Sequence, residues 1–501
     1  MKRCPQPRAA KRVPAADAAS VRPSMRLLGV WLALVPYAIW PPGMIWDSMN
    51  VWRWPFATAG FLACLLFIGR EAKRTRDKSP ADQPAPFSFS FFSLGAGLIL
   101  VGLVLSSLFS PVMGLGLLTS LREAALVLLA VCIAAHRPRQ SEAAWIMGCL
   151  LTSMGAQAGL ALMQCFFPRV LGTVLPIGID PEGGRGAMLG TIGNPEYLAS
   201  WLAVGMTSGF VLTLGGKDPR REQAGFRGWA PGLVGLLALA AIFLSGGRGA
   251  ILAAVGALLI YGLVWMPARR KTQTPERAGR PANRSSPLGL LLAAIAVVGA
   301  VLVAVWLARD PSDRGDALPS RLAQIANVHS ASMRHRLGLL AITSQMIVRD
   351  PLLGAGPGLY GAAYGEMQAR LAEQEQGVGY WSLAEVLTNN YVNEAHCDPL
   401  QWWAEYGLLP LLGLFMMLTH ALCRPWKGLR SGGGPTAYQL AIWVGLLTLG
   451  LNMWVSFPLH VPVRAMTFWV LLGLLAGSEG VRPRSDHAEG ITGHGTGGKQ
   501  R

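Results

Sequence analysis

The apolar positions of the chain gather into long runs separated by short polar segments. Runs of roughly the 20 residues that a spanning helix needs occur at 27–46, 51–69, 87–108, 116–135, 143–166, 195–214, 229–245, 249–268, 287–308, 399–422, 437–456 and 462–479. They predict an all-α, polytopic membrane protein with about twelve transmembrane helices. The first run is too long for a cleavable signal peptide and lacks a small-residue cleavage site before the second.

Between the ninth and tenth runs lies a long segment, 309–398, that exceeds an ordinary connector. In RHRLGLLAITSQMIVRD (334–350) the residues at 339, 340, 343, 346 and 347 share roughly one helical face, with Thr343 its weak member. Pro351 ends that helix, and GAGPG (354–358) is a turn-rich break. A second helical stretch is expected from about Leu359 to Gln376 and a third from Leu383 toward His396. The resulting plan is a basic N-terminus (1–26), helices one to nine (27–308), a loop (309–398), helices ten to twelve (399–480) and a tail (481–501).

Composition agrees with a membrane chain. Hydrophobic residues make up 52% and charged residues 14%, where a soluble domain carries about 25% charged. That excludes a disordered chain, a collagen-like fibre and a nucleic-acid-binding domain of ordinary composition. With the N-terminus inside and the runs alternating, 31 of the 44 Lys and Arg fall in inside segments, and every Lys is among them. This bias places both termini in the cytoplasm and the 309–398 loop outside. Anionic inner-leaflet lipid accounts for the net charge of +17, so no nucleic-acid partner is needed. Seven cysteines without CxxC spacing give no metal or redox framework.

Ionisable residues in or beside a span are expensive and mark candidate sites. Arg248, between two glycines in SGGRGA (245–250), suits a phosphate or diphosphate through its bidentate fork; an interfacial arginine that snorkels has the same spacing. Arg334, His335 and Arg336 open the amphipathic helix, where an anionic ligand would offset an unfavourable dipole. Two arginines at i and i+2 point to different faces, so one at most faces a site. His396, in NEAHCDPLQWWAEYG (393–407), has general-base chemistry, with Glu394, Asp398 and Glu405 near in sequence; a structural histidine is the bland alternative. Trp402 and Trp403 read as an interfacial aromatic belt, with a sugar platform as the lesser reading. Arg122 and Glu123 lie adjacent within the fourth run.

Several stretches are similar to those of a known family. They are GTIGNPEYLASWLA (190–203), FLSGGRGAILAAVGALLI (243–260), HRLGLLAITSQMIVRDPLLGAGPGLY (335–360) and AHCDPLQWWAEYGLLPLLG (395–413), with FPLHVPVRAMTFWVLLG (457–473) resembling the closing span of some members. In their order and spacing the chain resembles the bacterial O-antigen ligase and polymerase family of integral membrane glycosyltransferases. The resemblance implies transfer of a glycan from a polyprenyl (undecaprenyl) diphosphate carrier to an acceptor hydroxyl, such as lipid A-core. It implies action at the periplasmic face of a bacterial inner membrane, without metal or other cofactor. Arg248, Arg336 and His396 match the family's functional positions, and Arg185 is a weaker match. His396 would then be catalytic, and the three arginines would bind the donor diphosphate. Cys397 departs from the family's usual Asn, Pro399 from a commonly aromatic position, and Gly247 is inserted before Arg248.

Ligase and polymerase are both open at this point. A secondary transporter is the alternative of another class, although the chain lacks the repeated halves such proteins often carry. A non-catalytic scaffold for envelope assembly is a third.

Overall fold

The computed structural model describes residues 21–38, 48–76, 90–174, 188–215, 226–271, 331–373, 392–430 and 435–478. Within them the protein is all-α. The first helix, α1 (Pro23–Leu34), is stopped by a 3₁₀ turn, Val35–Tyr37, that contains Pro36. The next, α2 (Ser48–Arg76), starts with a buried Arg53 and ends in REAKRTR. Three long helices follow: α3 (Phe91–Leu108), α4 (Met113–Ala135) and α5 (Gln140–Phe166). A short α6 (Pro168–Val174) leads toward α7 (Pro195–Gly215), then α8 (Phe226–Ser245) and α9 (Arg248–Lys271). The loop segment contributes α10 (Ala331–Arg349) and α11 (Tyr360–Glu373). The chain closes with α12 (Asp398–Tyr406), α13 (Leu408–Arg430), α14 (Ala437–Asn452) and α15 (Pro462–Gly477).

The expected twelve-helix membrane topology is not what forms. Among the described residues, six helices are long and apolar enough to cross a membrane: Phe91–Leu108, Met113–Ala135, Gln140–Phe166, Pro195–Leu214, Arg248–Trp265 and Leu408–Trp426. Three shorter apolar helices accompany them, Trp229–Ser245, Ala437–Asn452 and Pro462–Gly477. Several of the runs are cut by local features. Pro36 cuts the run at 27–46 to a 12-residue helix. The run at 51–69 lies within the 29-residue α2, which carries the buried Arg53 near its start and a charged end. The run at 399–422 is broken at Gly407, whose φ of 83° turns the chain between α12 and α13. Helices α14 and α15 have 16 residues each, a length of ~24 Å against a hydrocarbon core of ~30 Å. The run at 287–308 and both termini lie outside the described residues.

The apolar character of α15 serves protein contact. Every residue from Pro462 to Gly477 is buried, as expected of a helix hydrophobic all round. It packs on α4, α13 and α14, while α7 packs on α8, α9 and α14. Polar side chains join these helices: Trp201 Nε1 donates to Thr467 Oγ1 at 3.0 Å, Ser208 Oγ to the Ala441 carbonyl at 2.8 Å, and the Thr207 and Thr448 hydroxyls meet at 3.0 Å. Glycines allow the closest approaches. A Cβ on Gly95 of α3 would lie 2.7 Å from the Gly413 carbonyl oxygen of α13, and a Cβ on Gly413 would meet the Gly95 carbonyl.

The loop helices largely follow expectation. Helix α10 buries Leu339, Ile342, Thr343, Met346 and Ile347, so Ile342 replaces Leu340 on the predicted face. Of the third expected helical stretch, 383–391 lies outside the described residues, and 392–397 is not helical. Helix α12 starts at Asp398–Pro399 instead, because a proline suits a helix's first turn, where its missing N–H would have no intrahelical partner.

Replacing Gly413 with Val should force α3 and α13 apart, at a cost on the order of 1–3 kcal/mol or more. The thermal midpoint of the detergent-solubilised protein should fall by several degrees. Gly97→Ala, where no atom lies within 4 Å of the added Cβ, should leave it unchanged or slightly higher. Equal midpoints for Gly413→Val and wild type would contradict this packing.

Candidate functional site

The site is organised by the start of α7. The turn before that helix, 188–194, is buried from Met188 to Gly193 and is pinned by side chains of two other helices. Gln164 of α5 accepts from Gly190 N–H at 2.7 Å and donates to the Gly190 carbonyl at 3.0 Å. Gln157 accepts from Thr191 N–H at 2.9 Å and donates to Thr191 Oγ1 at 2.6 Å. Arg53 of α2 donates to the carbonyls of Ile192 (3.1 Å), Pro36 (3.2 Å) and Thr191. Gly190 and Gly193 have φ of 55° and 89°, which glycine adopts without penalty. Asn194 then caps α7, its Oδ1 accepting from Glu196 N–H at 2.8 Å.

Arg336 and, through Phe457, His396 reach this first turn, and the residue before Arg248 packs on the turn that follows it. Gly247, which precedes Arg248, lies so close to α7 that a Cβ would meet Ala199. Arg248 itself is half-buried and opens α9 after the φ +69° turn at Gly246. Arg336 of α10 pairs with Glu196 at 3.9 Å, both partly exposed at 32% and 47%, a geometry that is weak in water. His396 stands edge-on to Phe457 at 4.9 Å between ring centroids, and Phe457 is edge-on to Tyr197 at 5.2 Å. Arg185 lies outside the described residues.

The His396 backbone has φ of 54°, a left-handed conformation uncommon outside glycine that costs ~1–3 kcal/mol. Its loop is therefore clamped from both sides. Gln401 accepts from Ala395 N–H at 2.8 Å and donates to the Asn393 carbonyl at 3.4 Å. Asp398 N–H donates to the Met453 carbonyl at 2.9 Å, while the Asp398 carboxylate accepts from Leu459 N–H at 2.8 Å and from His460 Nδ1 at 2.7 Å. Burial pushes the His396 imidazole down to a pKa of about 4, helped by the nearby Arg336 guanidinium. It is neutral at physiological pH and able to accept a proton.

His460 behaves in the opposite way. Burial disfavours its charge, yet Asp398 and Glu405, whose Oε2 lies 3.7 Å from Nε2, outweigh burial and raise its pKa to about 10. Glu405 Oε1 also accepts from Gly358 N–H. This buried network joins α12, the 458–460 turn and the GAGPG loop. That loop runs along α12, with Ala355 N–H bonded to the Ala404 carbonyl at 2.8 Å and Gly356 N–H to the Glu405 carbonyl at 3.0 Å.

Some readings change. Trp402 is 1% exposed and packs on Tyr406 and Trp469, so it is neither an interfacial belt nor a sugar platform. Trp403 is committed to the Pro351 carbonyl at 2.9 Å. Arg122 pairs with Glu123 at 2.7 Å and lies over the Trp54 ring at 4.3 Å. Two residues of FPLHVPVRAM (457–466), His460 and Arg464, escaped selection. The signal for them was a His and an Arg among prolines just before an apolar run. Among the described residues, no group of three or more His, Cys, Asp and Glu is set to hold a metal ion.

Two outcomes follow from the Asp398–His460 pair. Removing either partner of a buried pair strands the other, so Asp398→Asn and His460→Gln should each cost roughly 3–5 kcal/mol. The double variant should cost less than the sum of the two in chemical unfolding; strict additivity would contradict the pair. His460 is raised in the fold from an unfolded value of about 6.5. Its stabilisation is therefore complete below about 6.5 and lost as pH climbs through about 10. Wild type should lose stability between neutral pH and pH 10, and His460→Gln should flatten that slope.

Residues 233–415 match the family model described as O-Antigen ligase. The match spans α8 into α13 and holds Arg248, Arg336 and His396; the first turn of α7, His460 and Arg464 lie outside it. No curated protein matches the chain. The family match, with six helices among the described residues long and apolar enough to cross a membrane, links the chain to the O-antigen ligase family and supports a multi-pass, membrane-embedded enzyme of the O-antigen ligase or polymerase kind.

Proposed function

We propose that the protein is a ligase-like glycosyltransferase. It moves a glycan from a polyprenyl diphosphate carrier to an acceptor hydroxyl such as that of lipid A-core, at the periplasmic face of a bacterial inner membrane. The observation that carries this reading is that Arg336 pairs with Glu196 and His396 reaches Tyr197 through Phe457 at the first turn of α7, while Gly247, the neighbour of Arg248, lies against Ala199 in the next turn. Cations beside a neutral imidazole suit transfer from an anionic leaving group to a hydroxyl.

In this reading Arg248 and Arg336, joined by Arg185, hold the diphosphate and stabilise the charge it gains in the transition state. His396 accepts the proton of the acceptor hydroxyl. The hydroxyl oxygen forms a bond to the anomeric carbon from the face opposite the departing diphosphate oxygen. The carbon–oxygen bond to the carrier breaks, and its electron pair leaves on the diphosphate. The bond broken supplies the driving force, so the step requires no nucleotide. Helix α10, which reaches Glu196 through Arg336, covers the site and limits hydrolysis of the donor.

The test is transfer by purified protein in nanodiscs from polyprenyl-diphosphate oligosaccharides, with EDTA present and with lipid A-core supplied or omitted. His396→Ala and Arg248→Ala should each lower kcat/KM on the order of a hundredfold or more. Product only in the presence of lipid A-core identifies a ligase; carrier-linked product that lengthens without it identifies a polymerase. Wild-type rates in both variants would overturn the mechanism. Because the His396 pKa lies near 4, the acid limb of kcat/KM should fall well below pH 6. An acid limb at pH 6.5 that vanishes in His396→Ala would contradict the assigned state of the base.

A further inference from the structure

Arg464, near the start of α15, is fully buried at 0% exposure. Its Nη1 donates to Ser200 Oγ at 2.7 Å and to Ser456 Oγ at 3.2 Å, and its Nη2 to the Phe457 carbonyl at 3.3 Å. The rings of Tyr197 and Phe457 flank the guanidinium at 4.7 and 5.4 Å. Every one of these partners is neutral. Among the described residues no carboxylate oxygen lies within 4.0 Å of this cation, and its Nε has no hydrogen-bond partner. Asp398, Glu394 and Glu196 act on this charge only from beyond ion-pair distance. A buried charge with an unused donor and no counter-ion in contact is costly, and such groups inside membrane proteins are pairing or ligand-binding groups.

A second buried group nearby shares the pattern. Asn452, 1% exposed, ends α14, and neither its amide nitrogen nor its amide oxygen has a partner among the described residues. A Cβ on Gly249, the neighbour of Arg248, would lie 3.8 Å from Asn452 Nδ2. Ser456, which bonds Arg464, lies one turn further along the chain. Unused polar groups therefore flank Arg248 on one side and the Tyr197–Phe457 pair beside His396 on the other.

We infer that Arg464 is a further phosphate-binding residue of this site, and that an oxygen of a diphosphate is the contacting anion its Nε lacks. The inference rests on the glycosyl-transfer reading and extends its cationic set beyond Arg248, Arg336 and Arg185. It also assigns a ligand role to a residue outside the stretch that matches the family model. Ser200 and Ser456 hold the guanidinium plane, and the two rings fix its tilt. Nε is the donor left for the ligand. The competing role is a purely structural tether that joins α15 to α7 and to the 456–457 turn.

Inorganic pyrophosphate separates the two. The full chain in detergent is heated with pyrophosphate or with sodium chloride of equal ionic strength. Wild type should show a higher unfolding midpoint in pyrophosphate. Arg464→Gln should lose that shift, or need on the order of tenfold more pyrophosphate to reach it. Arg464→Lys, which keeps the charge but not the fork, should keep part of it. A full shift at the wild-type concentration in Arg464→Gln overturns the assignment. Should the glutamine variant not fold, a full shift in Arg464→Lys overturns it equally. Arg336→Ala separates this from the wider reading. A shift lost in Arg336→Ala but retained in Arg464→Gln removes Arg464 alone, whereas no shift in wild type removes the diphosphate site altogether.

Discussion

The turn before α7 is the constraint on which the site depends. Buried backbone groups must find partners, and here they find them in Gln157, Gln164 and Arg53 from α5 and α2. That arrangement fixes where α7 begins, and α7 in turn presents Glu196, Tyr197, Ala199 and Ser200 to four different segments of the chain. Removing one glutamine would leave Gly190 or Thr191 unsatisfied and release the turn. Loss of function from such a change would begin some distance from any reacting atom.

A second layer of polar contacts sets His396. Its positive φ is held by Gln401 on one side and by the Asp398–His460–Glu405 network on the other. The same network reaches Gly358, so the GAGPG loop and the histidine loop are parts of one rigid unit with α12. The two histidines are tuned in opposite directions by what surrounds them. His396 meets cations and loses its charge; His460 meets carboxylates and keeps it. Each imidazole keeps its protonation state through the physiological range, because each is held far from its ordinary pKa.

The helical class, the SGGRGA hinge and the amphipathic α10 were all legible from residue pattern; Arg248 and His396 stood out there as ionisable groups beside apolar runs, and only the family resemblance singled out Arg336 from Arg334. The membrane count was not. Apolar length alone does not distinguish a helix that faces lipid from one enclosed by protein, and α15 is apolar on every side because protein surrounds it. Gly407 illustrates a second blind spot. One glycine splits a run that looks continuous, since only the fold reveals that the Leu352 carbonyl lies against it. Arg464 illustrates a third. Its role depends on Ser200 and Tyr197, more than 260 positions away in the chain, and no local spacing encodes that meeting.

The central claim is that the start of α7 gathers one anion-binding site. The most direct measurement is an experimental structure of the protein bound to a non-transferable polyprenyl diphosphate analogue. The account predicts phosphate density beside the first turn of α7, within hydrogen-bond reach of Arg336 and Arg464 and on the same side as Arg248, with His396 facing the anomeric carbon position. Phosphate density elsewhere in the protein, with the first turn of α7 left without ligand, would contradict it.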